Sequence, residues 1–243
     1  MTSGRPARPL GALVTLTLVV SALSSATAGR PSPRLPADLA AGDRTRCLAI
    51  TDAADVATRV DAEPFVTRRD VFEYLLDHPA FASHVTRALG VARYRIWQAS
   101  DGLHLDDGWG VTGRFEVVHA TAGTRVFIAK GEFRKTLIPT IEGDAVTMIE
   151  YRIEPRADGR ALVYSTVSGY LRLDSRLASM ALKVVSGIAQ KKADKEARKL
   201  MGVFAKTSRR LDEDPTGALA RLRQQPDVPR TELEEFARLL SVR

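Results

Sequence analysis

The run Val71-Phe72-Glu73-Tyr74-Leu75-Leu76-Asp77-His78-Pro79-Ala80-Phe81 sets two short helices at a corner. Val71, Phe72, Leu75 and Leu76 share one face at helical spacing. Thr67 stands where a cap would, with Asp70 three residues on, where an acid favours the positive helix end. Asp77-His78-Pro79 breaks this helix, and Pro79 suits the first turn of the next. Phe81, Val85, Ala88 and Leu89 give the second helix its stripe, and Gly90 closes it.

Downstream, from about 91 to 173, the period changes to two. Val111, Gly113, Phe115 and Val117 alternate with Thr112, Arg114 and Glu116; Phe127, Ala129, Gly131 and Phe133 alternate with Ile128, Lys130 and Glu132. Thr147, Ile149, Tyr151 and Ile153 alternate with Met148, Glu150 and Arg152, and Ala161, Val163, Val167, Gly169 and Leu171 share a face. This pattern predicts antiparallel strands with one face buried. The connectors are Asp101-Gly102, Ala122-Gly123, Glu142-Gly143-Asp144 and Asp158-Gly159. Gly113, Gly131 and Gly169 fall inside strands, which predicts strong curvature and room between sheet and helix.

A helical period follows over Ser175 to Leu211, with Leu177, Ala181, Val184, Ile188, Ala193, Ala197, Leu200, Phe204 and Leu211 as its stripe. Gly187 and Gly202 are positions where it could kink. Residues 212–243 read as a linker and a short last helix, with a Thr231/Glu234 capping box and Leu233, Phe236, Ala237 and Leu240 turned inward. Upstream, residues 29–55 read as a flexible or weakly structured leader, and Val56 to Ala62 as a possible first strand. The fold class is therefore α+β: a curved antiparallel sheet against a long C-terminal helix, with two short helices near the start.

This order of elements resembles the START-like, or SRPBCC, helix-grip superfamily over about residues 56–211. The local likeness is strongest at Val71 to Phe81, where a helix turns at an Asp and a second begins; the Trp-x-Pro common in that superfamily is replaced by His84-Val85-Thr86. The resemblance implies an apolar cavity between sheet and helix. Its members bind lipids, sterols, polyketides, quinones or plant hormones, and some are cyclases, aromatases or hydrolases. It implies that Phe115, Phe127, Phe133, Ile149, Tyr151 and Val167 face the long helix, with Met180, Val184 and Ile188 facing back. Tyr151 stands out because its hydroxyl needs a partner when buried.

The N-terminus bears on compartment. Arg5 and Arg8 precede an uncharged run from Leu10 to Leu23, followed by Ala26-Thr27-Ala28. This is the order of a cleavable signal peptide over residues 1–28, and its apolar run is shorter than the roughly 20 residues that span a bilayer. The protein is expected to be exported, to the periplasm or the medium. The chain carries a net charge of +7, of which Arg5 and Arg8 leave with the signal. A basic exported protein meets anionic lipid or wall polymer first. No nucleic-acid-binding motif is present. Lys191, Lys195, Arg198, Lys206 and Arg209 form a basic helix face that could touch an anionic membrane. The lone cysteine, Cys47, reads as a small buried hydrophobe, with a reactive thiol or an intermolecular disulfide as the other reading.

No catalytic motif stands out, and no cofactor or metal is implied. His104 and Asp106 would share a face if their stretch is a strand, which makes them a possible metal or acid–base pair or simply part of a polar turn. Glu132 and Arg134 read as a surface ion pair. The expected function is binding and carriage of a lipid-like or other hydrophobic small molecule without catalysis. A cyclase- or aromatase-type enzyme in the same cavity, and an envelope interaction module acting through residues 212–243, are the competing readings.

Overall fold

The computed structural model describes residues 33–136, 138–175 and 186–241. Residues 1–28, expected to be a signal peptide, lie outside them, as do Met180 and Val184; Ile188 is described only as backbone. The elements are α1 (Ala41–Thr51), β1 (Val56–Asp61), β2 (Phe65–Thr67), α2 (Arg69–Asp77), α3 (Pro79–Ala88), β3 (Arg95–Ala99), β4 (Gly102–Asp106), β5 (Val111–Thr121), β6 (Thr124–Lys135), β7 (Ile138–Pro155) and β8 (Ala161–Leu173). Three helices follow: α4 (Ser186–Glu213), α5 (Pro215–Arg223) and α6 (Arg230–Ser241).

All eight strands form one antiparallel sheet, ordered β1-β8-β7-β6-β5-β4-β3, with β2 pairing the start of β8. The long helix α4 packs on β1, β2 and β8, a helix-grip arrangement. Register lines tie the concave face together. One runs through Phe115, Ala129, Ala145 and Leu171, another through Ile149, Val167 and Val60.

Gly113, Gly131 and Gly143 pair with one another across β5, β6 and β7. A Cβ on Gly113 would sit 2.7 Å from the Lys130 carbonyl oxygen, and one on Gly143 would sit 2.5 Å from that of Arg172. Neither distance admits a side chain, so the three glycines let neighbouring backbones close up where the sheet bends. Glu142-Gly143-Asp144, expected to be a connector, accordingly lies inside β7. The other three expected connectors hold, each with a glycine at positive φ: Gly102, Gly123 and Gly159.

Part of the second face of the sheet is buried as well. Residues 41–51, within the stretch expected to be a weakly structured leader, form α1 and dock there. Cys47, Ile50, Val126, Ile128, Val146, Met148 and Tyr170 make a dry cluster with Leu39 and Ala54. Ile128 and Met148, which alternation places on the polar side, are core residues because α1 covers them. Cys47 is fully buried, and burial pushes its thiol pKa up, in keeping with its reading as a small buried hydrophobe.

Residues 212–229 also depart from expectation. Asp214 caps α5 by accepting from the Gly217 N–H at 2.8 Å, and Pro215 occupies the first helical turn. Helices α5 and α6 complete a helical core with α2, α3 and the end of α4, built on Val71, Leu75, Phe81, Val85, Leu211, Leu222, Phe236 and Leu240. Helix α6 begins one residue before Thr231, with Phe236 and Leu240 inward as expected. Thr67 ends β2 rather than capping α2, whose N-cap is Arg68. Gly202 lies within α4 without interrupting it.

Two contacts join the helical core to its surroundings. The Ser83 hydroxyl accepts from the Ile96 N–H at 3.1 Å and lies 3.2 Å from the Ile96 carbonyl, which occupies part of the open edge of β3. His84, buried on α3, faces Arg87, Arg95, Gln225 and Asp227. Arg87 donates to His84 Nδ1 at 2.9 Å, a role for the neutral ring. Burial is the main cause that lowers the His84 pKa below 6.5, with the Arg87 charge acting the same way and Gln225 opposing. Above that value the ring is neutral in both folded and unfolded chains. Below it the unfolded chain takes up a proton that folded His84 refuses, so stability falls until the folded pKa is passed. Urea midpoints between pH 7.5 and 5 should therefore drop more for the natural chain than for a His84→Gln variant. Equal drops would contradict this assignment.

Candidate functional site

The site lies where the concave face of the sheet meets α4. Phe72 of α2 is its hub, making edge-to-face contacts with Phe65 (5.6 Å between centroids), Tyr151 (5.2 Å) and Phe204 (5.6 Å). Around these rings pack Ile149, Val163, Val167 and Met201, with Phe127, Ala197 and Leu200 partly buried at the margin. Helical spacing put Ala197, Leu200 and Phe204 on this face of α4; Met201, between them, is buried too.

Three buried hydroxyls have no partner among the described residues: Tyr151 and Ser165 in this interface, and Thr207. Tyr151 and Ser165 are directly opposed on β7 and β8, so their side chains stand on one face. Thr207 comes from α4 and is buried. Leaving a buried hydroxyl unpaired costs about 1–3 kcal/mol, so each of these groups calls for a polar partner, an ordered water or a ligand atom, beyond the protein's own side chains. Beside them, Arg125 lies 5.8 Å from the Tyr151 ring centre and donates through Nε to Asp77 at 2.7 Å. Arg125 is buried, while Asp77 ends α2.

The same concave face continues away from α4 as a half-covered apolar surface. Phe115 and Phe127 contact edge to face at 6.2 Å, and Leu103, Phe133 and Leu105 are likewise only half-buried. Val111, Val117 and Leu171 on this face are exposed. Of the residues expected to line a pocket, Ile149, Tyr151 and Val167 are therefore buried against α4, Phe127 borders the cluster, and Phe115 and Phe133 lie on the open part. A separate cavity of about 440 Å³, lined by Arg87, Gly90, Val91, Ala92 and Arg93, sits at the turn after α3, outside this interface.

Ser165, Thr207, Arg125 and Asp77 were not legible as site residues. Ser165 and Thr207 are isolated small polar residues in apolar patterns, and Arg125 opens a strand with no partner nearby in sequence. Asp77 was visible only as a helix breaker. His104 and Asp106 do share a strand, yet each is used locally. His104 Nε2 pairs with Asp101 at 2.7 Å and its ring stacks on Trp97, while Asp106 accepts from the Gly108 N–H. Among the described residues no cluster of three or more His, Cys, Asp or Glu could hold a metal. Glu132 and Arg134 form the surface ion pair, at 2.9 Å. Lys191, Lys195, Arg198, Lys206 and Arg209 are all exposed on α4.

No family model matches the chain, and no curated protein matches it. Among solved structures, the chain is similar to Ara h 8.0201 at 10% identity and a TM-score of 0.35, covering 65% of this chain and 99% of that one. It is similar to the hypothetical protein jhp0584 from Helicobacter pylori at 12% identity and a TM-score of 0.31, covering 81% and 97%. A conserved protein from Geobacillus kaustophilus gives 13% identity and a TM-score of 0.35, covering 65% and 93%.

Proposed function

We propose that this protein is an exported carrier for a lipid-like hydrophobic molecule, held between the sheet and α4 without catalysis. The observation that carries this reading is the set of unpartnered hydroxyls at Tyr151, Ser165 and Thr207 beside an apolar face that α4 leaves half-covered. An amphiphile suits both parts. Its apolar body lies along Phe115 and Phe127, where burial contributes about 25 cal/mol per Å². Its polar end reaches Tyr151 and Ser165. Phe127 pairs with Thr147, and Tyr151 is four residues further along β7, roughly 13 Å at strand spacing. Export is supported by the order of charge, apolar run and Ala26-Thr27-Ala28 at the N-terminus.

Tyr151→Phe separates a binding role from a packing role. It removes a buried hydroxyl that satisfies nothing, so the ligand-free protein should keep or slightly raise its melting temperature. Affinity for a fluorescent long-chain fatty acid should fall about three- to tenfold, the worth of one hydrogen bond. Phe127→Asp should abolish saturable binding of the same probe. A Tyr151→Phe protein that binds the probe as tightly as the natural chain, or a natural chain that does not bind it, contradicts the proposal.

A further inference from the structure

The chain contains two tryptophans, and both are exposed: Trp97 by 42% and Trp109 by 70%. Tryptophan is seldom left in water, because no side chain has more apolar area to hide. Trp97 is partly sheltered by the His104 ring and by the Arg95 guanidinium, 5.9 Å from its centre. Trp109 has no ring or cation contact among the described residues. It stands at the tip of the β4–β5 turn, and Val111, also exposed, follows two residues later.

That turn is rigid. The Asp107 carboxylate accepts from the Trp109 N–H at 2.7 Å and the Val111 N–H at 3.0 Å, and Asp106 accepts from the Gly108 N–H at 2.8 Å. Gly108 and Gly110 both have positive φ, and a Cβ on Gly110 would sit 2.3 Å from the Arg134 carbonyl oxygen. The backbone is locked in a shape that holds the indole out, and the two carboxylates beside it are occupied by the turn's own N–H groups.

Cationic charge lies at the same end of the sheet. The Arg134 N–H donates to the Gly110 carbonyl at 2.8 Å; the Arg134 side chain is 70% exposed and paired with Glu132 at 2.9 Å, so the lysines of α4 carry most of that charge. Helix α4 runs antiparallel to β8. Its Asp194 accepts from Thr58, which pairs with Gly169 near the end of β8, and its Asp212 lies 3.7 Å from Arg160, just before the start of β8. The exposed Lys191, Lys192 and Lys195 therefore sit toward the end of β8 that lies in register with the Trp109 turn.

We propose that this end of the molecule docks on an anionic phospholipid bilayer, with Trp109 seated among the headgroups and the lysines of α4 bearing on their charge. An indole at the interface with cations behind it is the combination that holds a protein at a lipid surface. Such docking requires no carried ligand.

The test uses residues 29–243, which include every described residue, and large unilamellar vesicles of phosphatidylcholine with or without about 30% phosphatidylglycerol. In a Trp97→Phe variant the only indole is Trp109. Its emission should shift to the blue with the anionic vesicles and be quenched by lipids brominated on the acyl chain. Trp109→Ser should keep its circular dichroism and lose about tenfold or more in vesicle partitioning. Lys191→Gln with Lys195→Gln should weaken binding to anionic vesicles roughly fivefold per charge removed, and added salt should do the same. Unchanged Trp109 emission at saturating lipid, or undiminished vesicle binding by Trp109→Ser, overturns the proposal. So does Trp109-dependent capture of another protein by a chain that binds no vesicles.

Discussion

Replacing Phe72 with alanine is expected to destabilise the protein by about 3–5 kcal/mol. Phe72 is fully buried and touches Phe65, Tyr151 and Phe204, so its ring joins α2 to β2, β7 and α4 at once. The loss combines the transfer cost of the ring with a cavity that three other rings cannot collapse to fill. Phe72→Leu keeps most of the volume and should cost about 1–2 kcal/mol. Urea unfolding followed by circular dichroism measures both. A Phe72→Ala midpoint within error of the natural one would mean that the aromatic cluster does not hold α4 on the sheet.

Ending the chain at Leu211 should do more. The truncation removes Ala218, Leu222, Phe236 and Leu240, and with them the cover over Val71, Leu75, Phe81 and Val85. At about 1.5–3 kcal/mol for each large side chain buried, the loss is comparable to the whole stability of a domain, about 5–15 kcal/mol. Tyr74 would also lose Glu235, its partner at 3.0 Å, and Arg68 would lose the Leu239 carbonyl at 3.1 Å. The truncated chain should show no cooperative thermal transition and should be cut rapidly by protease within α2 and α3. A melting temperature within a few degrees of that of the full chain would show that α5 and α6 are an appendage. The structure instead makes them the outer layer of the helical core, so removing them tests folding before it tests any partner.

Much of this architecture was legible because two periods dominate the chain. The helical spacing at Val71 to Leu76, the alternation in β5 to β8 and the stripe Ala197, Leu200 and Phe204 each name the face that is buried. What escaped was whatever depends on a second covering layer. Ile128 and Met148 read as the outward side of their strands until α1 is docked over them. Helix α1 is weakly amphipathic, so its period gave little warning. Gly143 carried the composition of a turn, between Glu142 and Asp144, yet serves a close backbone approach that only the neighbouring strand explains. Asp214-Pro215 is a cap followed by a first-turn proline, a signal obscured by the acidic run in which it lies. For the site, alternation picked out Tyr151 correctly as a concave-face residue. Ser165 and Thr207 join it only through strand register and helix placement, which no local pattern encodes.

The measurement that bears most directly on carriage is native mass spectrometry of residues 29–243 purified from a cell-envelope fraction. The expected result is a bound mass of a lipid-like molecule that organic solvent releases and whose occupancy falls in Tyr151→Phe. A bare chain mass, unchanged after incubation with a total lipid extract, would contradict it and would mean that the sheet–helix interface is filled core.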